Sequence, residues 1–328
     1  MDLLSILGID IAKSKFDVTL LVAGKTAHHT FSNSAPGFAH LDAWLTKHRA
    51  THLHACMEAT STYWEALAEH LHQAGHVVSV VNPLQIKNYG RSELSRTKND
   101  VADANLIARF CESQHPGAWT PLPPEIKELR ALVRRLDDLN QMLTQEENRL
   151  DTGSASESVR ASLGTMIATL KTQIREVKRQ IHDHLQNHPH LRAQSELITS
   201  IPGLGEPTAA NLLAEFGDIS AFEGGRQLAA YAGLSPQERL SGSSVRGRTR
   251  LCKIGSARLR KSLYMPAVSS LRFNPAAQVF AERLRANGKH NRSILGAIMR
   301  KFLHWVYGVL KSGRPFDAQF AIQQMQRA

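Results

Sequence analysis

The stretch SILGIDIAKSKFDVTLLVA, Ser5 to Ala23, sets an aspartate inside an otherwise apolar run. SILGIDIA and FDVTLLVA are two β-rich runs separated by a short polar connection, and that pattern predicts a hairpin. Asp10 lies within the first of these strands. It either ends the strand or is a carboxylate among apolar neighbours, which is costly unless something cationic meets it.

Working outward, strands and helices alternate. LDAWLTKH reads as an amphipathic helix and HLHACMEA as a strand. STYWEALAEHLHQAG reads as a helix with a glycine stop, and HVVSVVNP as a buried strand ended by proline. DVADANLIARFCESQ is a further helix. The alternation predicts an α/β domain over residues 1–120. Within it, Glu58 sits at the end of a strand, and Asp100 and Asp103 lie three apart at a helix start, where both can project from one face. Four convergent carboxylates would suit Mg²⁺, which takes oxygen ligands. Two such ions about 4 Å apart could serve both the attacking and the leaving oxygen at a phosphodiester. Asp100 is also a natural helix N-cap, so a purely structural role stays open for it.

PLPPEI then interrupts the pattern with three prolines. Beyond it, LRALVRRLDDLNQML and IATLKTQIREVKRQI carry apolar residues at near-heptad spacing, which predicts a helical hairpin or coiled coil over residues 121–190. Its job is either oligomerisation and spacing or packing on its own neighbours. Residues 191–328 read as mainly helical. LITSIPGLGEPTAANLLAEFG places Gly203 and Gly205 in a turn between two helices. Backbone amides there would suit a phosphate oxygen, as in a helix-hairpin-helix. An ordinary glycine-capped helix connection is the alternative.

Charge separates the ends of the chain. The 328 residues carry a formal net charge of +11. Residues 1–120 hold 10 Lys+Arg against 11 Asp+Glu, 121–219 hold 11 against 14, and 220–328 hold 19 against 4. The excess, +15, therefore belongs to the last third, as expected of a segment facing a polyanion, with nucleic acid the leading candidate. Cys56, Cys111 and Cys252 form no CxxC pair, which argues against a disulfide scaffold or a thiolate zinc site. ILGAIMRKFLHWVYGVL has Arg300 and Lys301 near its middle, so a membrane span is not expected. A cytoplasmic protein, nucleoid-associated when bound, is the expectation.

In the basic segment, RLSGSSVRGRTRLCK, Arg239 to Lys253, has four arginines, three serines, two glycines and no acid. Arg246, Arg248 and Arg250 supply forked donors and Lys253 another cation, while Ser243 and Ser244 add hydroxyls; together these make a phosphate clamp. A serine nucleophile would need its alkoxide and the pentacoordinate transition state stabilised, and the loop contains no histidine to act as base. Clamp and nucleophile both remain open on these residues alone.

GIDIAKSKFDV, CMEATSTY, VVNP leading to KNDVADA, IPGLGEPTAANLLAEFG, FEGGRQLAAYAGLSP, SGSSVRG and LYMPA occur in this order along nearly the whole chain. Together they resemble the DEDD-type insertion-sequence transposases related to the Piv DNA invertase, some of which are guided by a bridge RNA. The resemblance implies an N-terminal RuvC-like, RNase H-fold domain, a coiled coil and a C-terminal transposase domain. It implies that Asp10, Glu58, Asp100 and Asp103 bind Mg²⁺ or Mn²⁺, and that Ser241, the first serine of SGSSVRG, is the nucleophile. Donor and target DNA, a bridge RNA and a homo-oligomer, dimer to tetramer, are the implied partners. Asn99 stands where the family pattern leads one to expect threonine. A site-specific invertase of the same family is the neighbouring reading. A metal-dependent junction nuclease with the serine loop as clamp, and a non-catalytic DNA-bridging protein, are the readings from other classes.

Overall fold

The computed structural model describes residues 5–22, 24–94, 99–153, 156–237, 240–241, 245–246 and 250–327, with 240–241, 245–246 and 327 described in their backbone only. The chain divides into two compact units, 1–121 and 122–328.

The first unit is a five-stranded mixed sheet between helices. β1 (Ser5–Ile11), β2 (Lys15–Val22) and β3 (Lys25–Ser32) form an antiparallel meander. β4 (Leu53–Glu58) pairs parallel to β1, and β5 (Val77–Val81) pairs parallel to β4, giving the order β3-β2-β1-β4-β5. The predicted hairpin is present, and its Lys13–Ser14 turn sets Asp10 directly opposite Asp17. Alternation sorts the two faces. Leu7, Ile9, Phe16, Val18, Ala55 and Met57 pack beneath α1 (Ala35–Lys47) and α2 (Glu65–Gln73). Ile6 and Cys56 pack on the other face with α4 (Asp100–Gln114) and with Ile86 of α3 (Pro83–Ser92).

Gly8 is what lets α4 lie so close. A β-carbon built there would stand 2.3 Å from both the Ala104 carbonyl oxygen and the Ala108 amide nitrogen. Any side chain at this position would push the helix off the sheet. β3 and α3 are additions to the sequence reading. β3 shows mostly exposed positions and no strong apolar alternation, so it pairs as an edge strand without announcing itself.

In the second unit, α5 (Pro124–Asp151) and α6 (Glu157–Asn187) form the expected helical hairpin, with Leu129, Val133 and Leu136 facing Leu170, Ile174, Val177 and Ile181. The hairpin shares one apolar core with the helices that follow it: α7 (Pro189–Thr199), α8 (Glu206–Phe216), α9 (Gly225–Tyr231), α10 (Ala257–Phe273), α11 (Pro275–Ala286), α12 (Asn291–Ser312) and α13 (Ala318–Arg327). The apolar run at 294–310 is α12, buried through Ile298, Phe302, Leu303 and Val306. Among the described residues no helix is long and apolar enough to cross a membrane.

Between α9 and α10 the described residues of the serine-rich stretch include two short ladders. β6 (Pro236–Gln237) pairs with β9 (Arg250–Leu251), and β7 (Leu240–Ser241) pairs with β8 (Val245–Arg246).

Candidate functional site

The strand parities place Asp10, Asp17 and Glu58 on the sheet face that α4 covers, because their even- or odd-numbered neighbours Ile6, Leu21 and Cys56 pack there. Asp103 precedes Ala104, the residue that touches Gly8, so the close helix–sheet contact brings its carboxylate towards Asp10. Asp10 lies within electrostatic reach of Asp103 and Asp100, and Glu58 within reach of Asp10 and Asp103. Burial pushes Asp10 up from the usual 3.8 to about 6, helped by repulsion from Asp103, Asp100 and Asp17 and opposed by Lys15. Glu58 is also raised, first by burial and then by Asp10 and Asp103, against a hydrogen bond to Thr60.

Asp100 behaves differently. Lys15 Nζ donates to its carboxylate at 2.6 Å and also lies 3.2 Å from Asp17, so Asp100 is held below the usual aspartate range. Nor is Asp100 the N-cap, the structural role left open for it. Asn99 is, accepting from the Ala102 N–H at 2.8 Å, and Asp100 begins the helix proper. A threonine would cap the same way, so the departure at Asn99 keeps the local structure.

Sequence reading missed Asp17 and Lys15. Asp17 is buried and accepts a hydrogen bond from Thr30, while Lys15 bridges it to Asp100. The signal was available: a two-residue turn at 13–14 forces residue 17 opposite residue 10.

These carboxylates fit a hard divalent cation in donor type, and in two of them burial and mutual repulsion are only partly offset, which such an ion would relieve. Among the described residues they are nevertheless not closed around a metal position. Lys15 supplies part of the missing positive charge.

In the second unit, Ser241 is the last residue of β7, opposite Val245, and Arg246 pairs with Leu240. The side chains of Ser241 and Arg246, and the whole of Ser243, Ser244 and Arg248, lie outside the described residues. Arg250 and Lys253 are exposed. The stem of the segment is fastened by backbone bonds from the Cys252 N–H to the Ser235 carbonyl and from the Lys253 N–H to the Gly233 carbonyl.

The IPGLG turn joins α7 to α8 as predicted. Gly203 takes φ +102°, and a β-carbon there would stand 3.2 Å from Ser270 Cβ. It thus packs the turn onto α10, and Asn274 Nδ2 donates to the Pro202 carbonyl at 2.9 Å to hold it. Gly205 is exposed at the N-cap of α8.

Two family models match the chain, one described as a transposase over residues 7–152 and one as a transposase of the IS116/IS110/IS902 family over residues 195–282. A pilin gene-inverting protein of Moraxella bovis is 36% identical over 314 residues, covering 95% of this chain and 97% of that one. The chain belongs to the IS110 transposase family. A protein of insertion element IS110 from Streptomyces coelicolor is 28% identical over 59% of this chain and 46% of its own. The transposase of insertion sequence element IS1328 from Yersinia enterocolitica is 24% identical over 76% and 82%. The IS110-family chain is thus an enzyme that cleaves and rejoins DNA.

Proposed function

We propose that this transposase cuts and rejoins DNA through a covalent phosphoserine formed at Ser241. The carrying observation is the pairing of β7 with β8, which sets Ser241 at the end of a strand inside the chain's basic third. Ser241 Oγ bonds to phosphorus, one phosphorus–oxygen ester bond to a deoxyribose breaks, and the departing oxygen takes up a proton. Attack by a deoxyribose hydroxyl on the phosphoserine reverses the exchange, releases Ser241 and reseals a strand without ATP. Arg246, Arg248, Arg250 and Lys253 hold the phosphate oxygens, with Ser243 and Ser244 as further contacts. Asp10, Glu58, Asp100 and Asp103 are the residues that would hold Mg²⁺ or Mn²⁺, which when bound supplies positive charge to the phosphate oxygens. Asp100 would exchange Lys15 for that ion.

The strand order of the first unit supports an RNase H-like, RuvC-like reading of residues 1–120. Residues 121–190 serve assembly, dimer to tetramer, so that acids of one protomer meet the serine of another. Residues 191–328 form the transposase domain, where Gly203 and Gly205 present a helix-hairpin-helix turn to the DNA backbone. A bridge RNA pairs with donor and target DNA, and the enzyme acts on the nucleoid in the cytoplasm. Inversion of a chromosomal segment is the second reading. Its support is the pilin gene-inverting relative, which matches nearly end to end.

The test mixes wild type or Ser241→Ala with Mg²⁺, labelled DNA and RNA from the flanks of the gene, then denatures. A protein–DNA adduct confined to the wild type supports the phosphoserine. Metal-dependent nicking by both, with no adduct, reduces the loop to a clamp and leaves a RuvC-like nuclease.

A further inference from the structure

The carboxyl end of β5 opens into a groove of about 770 Å³ that the acidic cluster does not use. Its place is set by the sheet. Glu58 pairs with Val81, and the Ala59 N–H donates to the Val81 carbonyl at 2.9 Å, so the groove begins one strand beyond Glu58. Adjacent strands lie about 4.8 Å apart, so a chain of nucleotides passing Asp10 and Glu58 reaches it within one or two units.

The lining is neutral and rich in amides. Gln85, Asn88, Tyr89 and Ser92 occupy one face of α3, Asn82 caps that helix, and Gln114 closes the groove from the end of α4. No charged side chain belongs to its described lining, which makes it a poor seat for phosphate. Gln85 and Asn88 are exposed and take no side-chain hydrogen bond among the described residues. Tyr89 is partly buried, edge-on to Phe110 with ring centroids 5.5 Å apart, and its hydroxyl is 3.2 Å from Ser113 Oγ. The remaining wall is also held firmly. Buried Ser79 lies 3.0 and 2.9 Å from the Pro116 and Gly117 carbonyls and 2.7 Å from His54 Nε2.

Carboxamides offer a paired donor and acceptor, the pattern that matches the N6/N7 edge of adenine. An aromatic ring beside them suits an unstacked base, and the volume suits one nucleoside. We propose that this groove receives one unpaired base, preferentially adenine, of the DNA strand lying across the acidic cluster. Gln85 and Asn88 read its edge and Tyr89 packs against it. The inference rests on the reading of the first unit as the DNA-processing domain, but not on Ser241.

The test uses full-length Ser241→Ala protein and a thymidine 13-mer bearing one central 8-azido-2′-deoxyadenosine. Irradiation and peptide mapping should place the crosslink within residues 80–92 or 110–117. In parallel, replacing the adenine by an abasic position should weaken binding about tenfold. In a Gln85→Ala/Asn88→Ala variant, whose altered residues are exposed, binding should already be about tenfold weaker and indifferent to the abasic change. No crosslink, crosslinks confined to other segments, or an abasic effect undiminished in the variant would each overturn the proposal. A wild type that forms no covalent adduct but crosslinks here would sink the serine reading and leave the groove standing.

Discussion

The acidic face of the first unit and the basic serine segment of the second are built by opposite means. Asp10, Asp17 and Glu58 sit on strands whose register leaves little freedom, and Asp100 and Asp103 open the helix packed on that face. Asp10 faces Asp17 because a two-residue turn requires it, and Glu58 follows from the parallel pairing of β4 with β1. The serine segment has two-residue ladders and a stem fastened by backbone bonds at Gly233 and Ser235. One region is a scaffold that holds like charges together at a cost. The other concentrates cations along the sequence. A polyanion would relieve the charge excess of the basic segment, whereas the acidic face needs a cation to meet one.

Changes to the acids should separate chemistry from binding by the widest margin. Asp10→Asn and Glu58→Gln are each expected to lower strand cleavage about 100- to 1,000-fold, the loss when a principal transition-state charge stabiliser is removed. DNA affinity should stay within about twofold. A gel shift beside a cleavage assay reads both, and parallel losses would mean that the acids merely support the fold.

Next in size is the close helix contact. Gly8→Val should destabilise the protein by about 3 kcal/mol, because the new side chain meets backbone of α4 rather than a yielding side chain. Chemical denaturation measures it. A change below about 0.5 kcal/mol would show that α4 is not pinned at Gly8, and the acid cluster would lose its positioning device.

The basic segment should respond to salt instead. Arg250→Ala with Lys253→Ala is expected to weaken binding of all DNA sequences alike and to reduce the slope of log affinity against log salt by about 2. A change in sequence preference without a change in slope would make these residues readers of bases rather than holders of phosphate.

The smallest effect is the pH dependence of stability. Native Asp10 keeps its proton up to about pH 6, whereas an ordinary aspartate loses it near 3.8. The native state therefore binds more protons across that window, and stability falls as pH rises through it. For a half-exposed carboxylate the effect is about 1 kcal/mol once solvent screening is allowed for. Asp10→Asn should remove that slope and raise the melting temperature of the metal-free protein at pH 7. Mg²⁺ should raise the melting temperature of the wild type more than that of the variant. A steeper acid-side loss of stability in the wild type would reverse the sign and refute the repulsive cluster.

Much of the first unit was legible because Asp10 stands inside an apolar run and Glu58 closes one, each run of strand length. The α4 helix was legible from residue to residue, since DVADANLIARFCESQ spans it. Asp17 was not, because an acid in the second strand of a hairpin looks like an exposed alternation until the register is counted. β3 was not, because KTAHHTFS buries little and its pairing comes from its neighbour. The helical hairpin was legible from its heptads. That it shares a core with α7 and α8 was not, because such spacing serves a seam between chains or within one equally well.

The central claim is that the acids and Ser241 act on one phosphodiester, from different protomers. The most direct measurement mixes Asp10→Asn protein with Ser241→Ala protein, each inactive alone, and assays covalent protein–DNA adduct on a denaturing gel. Adduct should reappear in the mixture, because an assembly of the two contains one site with both groups intact. A mixture that stays inactive, while wild type diluted with either variant retains its expected share of adduct, would contradict the shared site.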